Sequence, residues 1–320
     1  MAFGEGLIDF LPVAAKKSLS EVEQFIKVSG GAIANVAVAV AKLGGSSYFA
    51  GKLGADHFGD FLTDTLKRYG VNTKYVIRTN KARTGIVFIS ETESGQTECL
   101  PYRNPSADML FEPEDINISW FEQVGIFHFG SDTLIYPESF KTTVKAVEYA
   151  EKAGAFISFD PNFRLSLWNS NKDLIEKLEQ LLPMIDIMKV NEFEYNILLK
   201  IITNSDIIGS LLQKGVSIVI KTKGNEKTEY YTKDFSGEII VPKTDPVDPL
   251  GAGDAFVGGL LYKLSLIDSS QEDIKSVLLN KEKVESLIKF ANSCGVLATR
   301  VKGAIPSFPS LEMIEKQWRE

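Results

Sequence analysis

The sequence predicts an α/β protein: a doubly wound, mostly parallel sheet with a small inserted β-sheet lid. Three observations carry that prediction. From about residue 120 onward, short β-rich runs alternate with helical ones, the rhythm of βα units laid on a parallel sheet. Two glycine clusters, "SGGAIANVAVAVAKLGG" at 29–45 and "DPVDPLGAGDAFVGGL" at 245–260, each run into a helical stretch. The N-terminal third has a different texture, with β-leaning pieces joined by polar turns.

Taken in order, helical stretches lie at 31–43 and 56–69 in the N-terminal third. The β-leaning pieces lie at 10–29 and 72–104, among them "KYVIRT", "TGIVFISET" and "QTECLPY". They read as a lid of residues 10–29 and 72–104 on a core of residues 1–9, 30–71 and 105–320; the alternative is that they are ordinary edge strands. The alternation then gives "GIFHFG" at 125–130, a helix near 137–153, "AFISFD" at 155–160, a helix near 172–182, "IDIMKVN" at 185–191 and "VSIVIKT" at 216–222. "TEYYT" and "EIIVP" flank "KDFSG" as a hairpin, an antiparallel edge on the parallel sheet.

Composition narrows the function. The 320 residues carry 35 Lys plus Arg against 42 Asp plus Glu, a formal charge of −7, and no basic run marks a nucleic-acid or membrane surface. A small polar substrate suits this balance better. Cys99 and Cys294 lie far apart with no metal-like spacing, so the expectation is a reducing cytoplasm and no disulfide framework. His57 and His128 are too isolated for a metal site or a triad. Glu5 and Asp9 stand where a signal peptide needs a basic start and an apolar run, and no apolar stretch reaches membrane-spanning length.

The chemistry concentrates at the glycine clusters. Gly251-Ala252-Gly253-Asp254 opens a helix, where unpaired amides and a partial positive charge receive an anion that small residues allow to approach. Asp254, in the first turn, is placed to take a proton from a hydroxyl attacking a phosphoryl group. The same residues also fit a turn followed by a helix cap. Gly258 and Gly259, unfavourable inside a helix, point to close packing or to ligand approach. Gly30-Gly31 leads into a helix apolar on nearly every face, and Asn35 within it must find partners: sugar hydroxyls or a neighbouring loop.

"GGAIANVAVAVAKLGG" and "DPLGAGDAFVGG" resemble the paired signatures of the ribokinase-like (PfkB) carbohydrate kinases, in the right order and over essentially the whole chain. "GEGLIDF", "YRNPSADM", "FDPNFRLSLW" and "VNEFE" are most similar to the fructokinases of that family. The resemblance implies a doubly wound α/β domain with a β lid over the sugar, and an ATP-dependent kinase acting on the terminal hydroxyl of D-fructose. It makes Asp254 the base, with Gly251, Ala252 and Gly253 as the hole for the transferring phosphate. It assigns Asp9, placed at the end of the first strand, with Gly31, Asn35, Arg103 and Arg164 to the sugar, although either arginine alone also fits a surface salt bridge. Asn191 and Glu194 match the N-x-x-E element that places Mg²⁺ through water, and they equally spell a capping box. Thr222, Gly224 and Asn292 correspond to nucleotide-contacting positions.

One departure is plain: Asp248 is followed by Pro249-Leu250 where the family carries threonine, which bears on the potassium site that many members hold beside this aspartate. Kinases for 2-keto-3-deoxygluconate, ribose or nucleosides would share every phosphate residue. A catalytically inactive regulator on the same fold is a remoter reading, opposed by the retention of Asp254 and the glycines. A dinucleotide oxidoreductase is opposed by the sequence, since no G-x-G-x-x-G follows the first strand and "GAGDAF" comes late in the chain. A homodimer through the lid is expected from its exposed strands.

Overall fold

The computed structural model describes residues 1–14, 16–94, 97–202, 206–267 and 274–319. The parts of the expected core and lid at 15, 95–96, 203–205, 268–273 and 320, including the first residue of "QTECLPY", lie outside the described residues.

The chain begins with β1 (Ala2–Phe3), β2 (Leu7–Pro12) and β3 (Phe25–Gly30), then α1 (Ala32–Lys42), β4 (Tyr48–Gly54), α2 (His57–Arg68) and β5 (Asn72–Thr79). Strands β6 (Ile86–Glu91) and β7 (Thr97–Tyr102) precede the alternating half: β8 (Ile126–Gly130), α3 (Pro137–Lys152), β9 (Phe156–Asp160), α4 (Asn171–Leu181), β10 (Ile187–Asn191), α5 (Glu192–Ile201), α6 (Ile207–Gln213) and β11 (Ile218–Lys223). The hairpin β12 (Lys227–Tyr231) and β13 (Ser236–Ile240) follows, then α7 (Ala252–Ser265), α8 (Ile274–Val277), α9 (Lys281–Ala298), α10 (Ala304–Ser307) and α11 (Leu311–Arg319).

Nine strands form one sheet in the order β13-β12-β11-β10-β9-β8-β1-β4-β5. All its pairings are parallel except the hairpin edge, where β11–β12 and β12–β13 are antiparallel. Successive strands run outward from β1 in one direction and from β8 in the other, so the order reverses between them. A crevice at the carboxyl ends of strands flanking such a reversal is where ligands bind in open α/β sheets.

The second sheet has the order β3-β2-β6-β7, with β2 and β6 parallel and both outer pairs antiparallel. Its membership corrects two sequence expectations. Residues 72–79, expected in the lid, form β5 and pair with β4 at the edge of the large sheet. Asp9, expected at the end of the first core strand, sits in lid strand β2 opposite Val28 and Val87. Gly4 and Gly6 separate β1 from β2, and the chain leaves the large sheet there.

One face of the large sheet carries Phe3, Phe127, Phe129 and Phe159, fully buried and in ring contact along the row. Helices α1, α7 and α9 cover the opposite side, and their glycines explain how close they come. A Cβ on Gly258 would stand 2.4 Å from Ala39 Cβ of α1, and one on Gly259 would stand 2.5 Å from Cys294 Sγ of α9. Of the two readings open for this pair, helix packing is the one their surroundings show. No helix among the described residues is long and apolar enough to cross a membrane.

Candidate active site

Gly251 caps the N-terminus of α7, and its φ of 81° is left-handed. A Cβ there would lie 2.7 Å from Ala304 Cβ, so both conformation and space call for glycine. Ala252 donates its amide to the Pro249 carbonyl at 3.2 Å, which removes it from the set expected to cradle an anion. Among the described residues, the amides of Gly251, Gly253 and Asp254 have no protein acceptor, and the positive end of the helix adds to them.

A cavity of about 320 Å³ opens between this helix start, the lid and the ends of β9 and β10. Its wall contains Asp9, Gly31, Asn35, Arg103, Arg164, Asn191, Gly251, Gly253 and Asp254, residues dispersed over the whole sequence. Asn35 Nδ2 donates to Asp254 Oδ2 at 2.8 Å, while Asn35 Oδ1 is buried without a partner among the described residues. Burial pushes the Asp254 carboxyl up to about 7; the Asn35 hydrogen bond opposes this, Asp160 reinforces it, and Lys189 and Arg164 pull it down. The exposed part of Asp254 faces this narrow cavity, so its surroundings are protein rather than bulk water.

The lid contributes Asp9, whose carboxyl is raised to about 6 by burial against the opposing pull of Arg164 and Arg103. Its place depends on Gly30 of β3: a Cβ there would stand 2.0 Å from Asp9 Oδ2. Gly31, with φ 95°, caps α1, and a Cβ on it would meet the Glu5 carbonyl at 2.7 Å.

Arg103 is not a surface residue. Only 5% exposed, it donates from Nη1 to Asp132 at 2.6 Å and from Nη2 to Asp108 at 2.5 Å. Burial works against its charge, and the two carboxylates hold its pKa above the ordinary value. Glu5 lies in the same cavity wall, its Oε1 accepting the Ile33 amide and its Oε2 unpartnered among the described residues. Burial, with Asp132 adding to it and Arg103 opposing, raises the Glu5 carboxyl to about 8. Arg164 is exposed at the rim and, among the described residues, donates to the carbonyl and side-chain oxygens of Asn162 alone.

Asp160 and Lys189 were not singled out from sequence. Lys189 Nζ donates to Asp160 Oδ2 at 2.9 Å, and both side chains are buried at the ends of β9 and β10 beneath α7. Burial disfavours the Lys189 charge, yet Asp160, Glu194 and Asp254 keep its pKa above the ordinary value. A Cβ on Gly253 would come within 3.4 Å of this ammonium. The signal that could have found them is their position, one charged residue inside or closing each apolar strand that ends at the crevice.

Asn191 and Glu194 do form a reciprocal cap, Asn191 Oδ1 accepting the Glu194 amide and Glu194 Oε2 accepting the Asn191 amide. Glu194 is nonetheless buried beside Asp160 and Lys189, and its carboxyl is raised to about 7, first by burial and then by Asp160. Asp160 Oδ1 has no hydrogen-bond partner among the described residues.

On the other side of α7's first turn a second cavity of about 310 Å³ is lined by Thr222, Gly224, Thr228, Pro246, Pro249, Ala252, Gly253, Phe256 and Asn292, among others. Its lining holds no charged side chain. The two cavities share Gly253. Asp248 lies in neither wall: its Oδ1 accepts the Leu250 amide at 2.9 Å and its Oδ2 the Gly303 amide at 2.8 Å, tying the loop before α7 to the start of α10.

This arrangement, an acid site and a neutral slot meeting at a glycine-rich helix start, suits group transfer between two ligands. Residues 1–311 match the pfkB family carbohydrate kinases. The chain belongs to that family. It is 41% identical over 321 residues to fructokinase-1 of Zea mays, covering 99% of this chain and 97% of that one. A crystal structure of a fructokinase with bound ATP from Xylella fastidiosa superposes with a TM-score of 0.90 at 33% identity, covering 100% of this chain and 98% of that one. An aminoimidazole riboside kinase from Salmonella enterica, complexed with aminoimidazole riboside and an ATP analog, superposes at 0.83 with 26% identity over 100% and 99% of the two chains. The pfkB signatures read from the sequence thus fall on the two glycine-opened helices, α1 and α7, whose first turns meet at Asn35 and Asp254.

Proposed function

We propose that this kinase transfers the γ-phosphoryl group of ATP to the terminal hydroxyl of D-fructose, giving fructose 6-phosphate. The observation that carries the reading is the meeting of the two cavities at Gly253, with Asp254 on the polar side. The high identity to proteins named fructokinases supports fructose as the acceptor.

In this reading the sugar lies in the polar cavity. Asp9 and the unpartnered Asn35 Oδ1 accept its hydroxyls, and Gly31 lets it lie against the backbone. Arg164 closes from the rim, while Arg103 acts by holding Asp132 and Asp108 in place. Asp254 Oδ1 or Oδ2 takes the proton of the terminal hydroxyl as that oxygen attacks phosphorus, the bond to the ADP oxygen breaking in the same displacement. The amides of Gly251, Gly253 and Asp254 and the ammonium of Lys189 neutralise charge on the moving phosphoryl group. The base and phosphates of ATP lie in the neutral slot beside Thr222, Gly224 and Asn292.

Mg²⁺ fits the residues present. Among the described residues no three carboxylates gather into a cage, and magnesium beside a nucleotide uses few protein ligands, keeping water and phosphate oxygens instead. Glu194 and the unpaired Asp160 Oδ1 are the oxygens that would hold it, through water, and it supplies charge neutralisation at the phosphates. Potassium at Asp248 is a separate matter. Both Asp248 oxygens already accept amides, so hydrogen bonds hold the loop, and we expect KCl in place of NaCl to change turnover little. The cytoplasm is the location we infer, consistent with free thiols at Cys99 and Cys294. We also infer a homodimer through the lid, whose edge strands expose Ile26, Leu100 and Tyr102.

Coupled ADP release tests the function. Fructose should give the highest kcat/KM among fructose, 2-keto-3-deoxygluconate, ribose, mannose and adenosine, and a higher value for another acceptor would replace it.

A further inference from the structure

The neutral cavity contains a hydrogen bond that the transfer chemistry does not use. Thr228 of β12 pairs directly with Thr222 of β11, so both side chains face the same wall. Thr228 is 1% exposed and Asn292 of α9 is 4% exposed. The Thr228 hydroxyl donates to Asn292 Oδ1 at 2.7 Å. Among the described residues Asn292 Nδ2 has no acceptor.

A hydroxyl has one proton, and giving it to Oδ1 decides which end of the amide turns away. The remaining end is a pair of N–H donors in a wall whose lining has no carboxylate. A buried donor without an acceptor is unfavourable, and a planar heteroaromatic ring with a lone-pair nitrogen or carbonyl oxygen would satisfy it while packing against Pro246, Pro249, Val241 and Phe256.

We propose that Thr228 is a positioning residue for the nucleotide base: it locks the Asn292 amide so that Nδ2 meets a ring acceptor of the bound purine. This rests on reading the site as an ATP site, and deepens it by naming a residue that acts on the base only through another. Thr228 lines the neutral cavity and not the polar one, so it stands apart from the acceptor sugar.

The test compares the wild type with T228V, T228S, N292A and the double variant T228V/N292A. The dissociation constant of ATP with Mg²⁺ is measured by calorimetry, and KM values for ATP and fructose by ADP release. Valine keeps the branched shape suited to β12 and removes the donor. T228V should weaken ATP binding roughly fivefold to tenfold, the size of one neutral hydrogen bond, leaving fructose KM and kcat at saturation unchanged. T228S should restore binding. In the double variant the loss should equal that of N292A alone, because Thr228 acts through Asn292. ATP binding by T228V within about twofold of wild type, additive losses in the double variant, or an equal shift in fructose KM would each overturn the proposal. Absence of sugar-dependent ADP release from the wild type would contradict the kinase reading instead, and the calorimetric comparison would still decide the role of Thr228.

Discussion

Asn35 Nδ2 donates a 2.8 Å hydrogen bond to Asp254 Oδ2, joining the first turn of α1 to the first turn of α7. The two glycine-opened helices of the sequence therefore meet at their charged ends, and the bond stabilises the ionised form of the base. Removing it in N35A should move the Asp254 carboxyl further up from about 7, so the acidic limb of the kcat–pH profile shifts to higher pH and turnover at neutral pH falls. Fructose KM should rise as well, since Asn35 Oδ1 goes with the side chain. A pH profile superimposable on that of the wild type would contradict the link.

The two arginines expected to act alike at the sugar are differently built. R103A leaves Asp108 and Asp132 buried without their cation, a change that costs about 3–5 kcal/mol in such pairs, so a much lower melting temperature should accompany any loss of sugar binding. R164A removes an exposed side chain and should raise fructose KM with little effect on melting or on ATP KM. Thermal melts and KM values for both variants check this, and an R103A protein that melts with the wild type would refute the first half.

Glu5 supplies a pH dependence of stability. Its carboxyl titrates near 4.5 when unperturbed and at about 8 in the folded protein. Between those values the folded state keeps a proton that the unfolded chain has lost, so stability declines as pH rises through that window and levels off above it. The neutral isostere E5Q should show a shallower fall in melting temperature between about pH 5 and about pH 9. An unchanged slope would mean that Glu5 is ionised in the fold.

Much of this site was visible in the sequence, and the reasons for the rest are physical. The βα alternation after residue 120 was legible because buried parallel strands are short, apolar and bounded by turns. The assignment of 72–79 failed because "KYVIRT" has the same half-polar pattern whether it edges a large sheet or a small one. Asn35 and Asp254 stood out near glycines and Asp9 through the family resemblance, whereas Lys189 and Asp160 were hidden among apolar neighbours in "IMKVN" and "FISFD". Only the strand order tells that those ends face one crevice. Glu5 was read merely as an obstacle to a signal peptide, since its partner Ile33 and its neighbours Arg103 and Asp132 come together through tertiary structure alone.

The account depends on Asp254 as the base at the junction of the two cavities. The most direct measurement is the turnover of D254N, in which the side chain keeps its size and can still accept the Asn35 hydrogen bond but can no longer take a proton. With fructose binding measured alongside, kcat should fall at least about 100-fold while the fructose dissociation constant changes little. Turnover near that of the wild type would show that another group removes the proton.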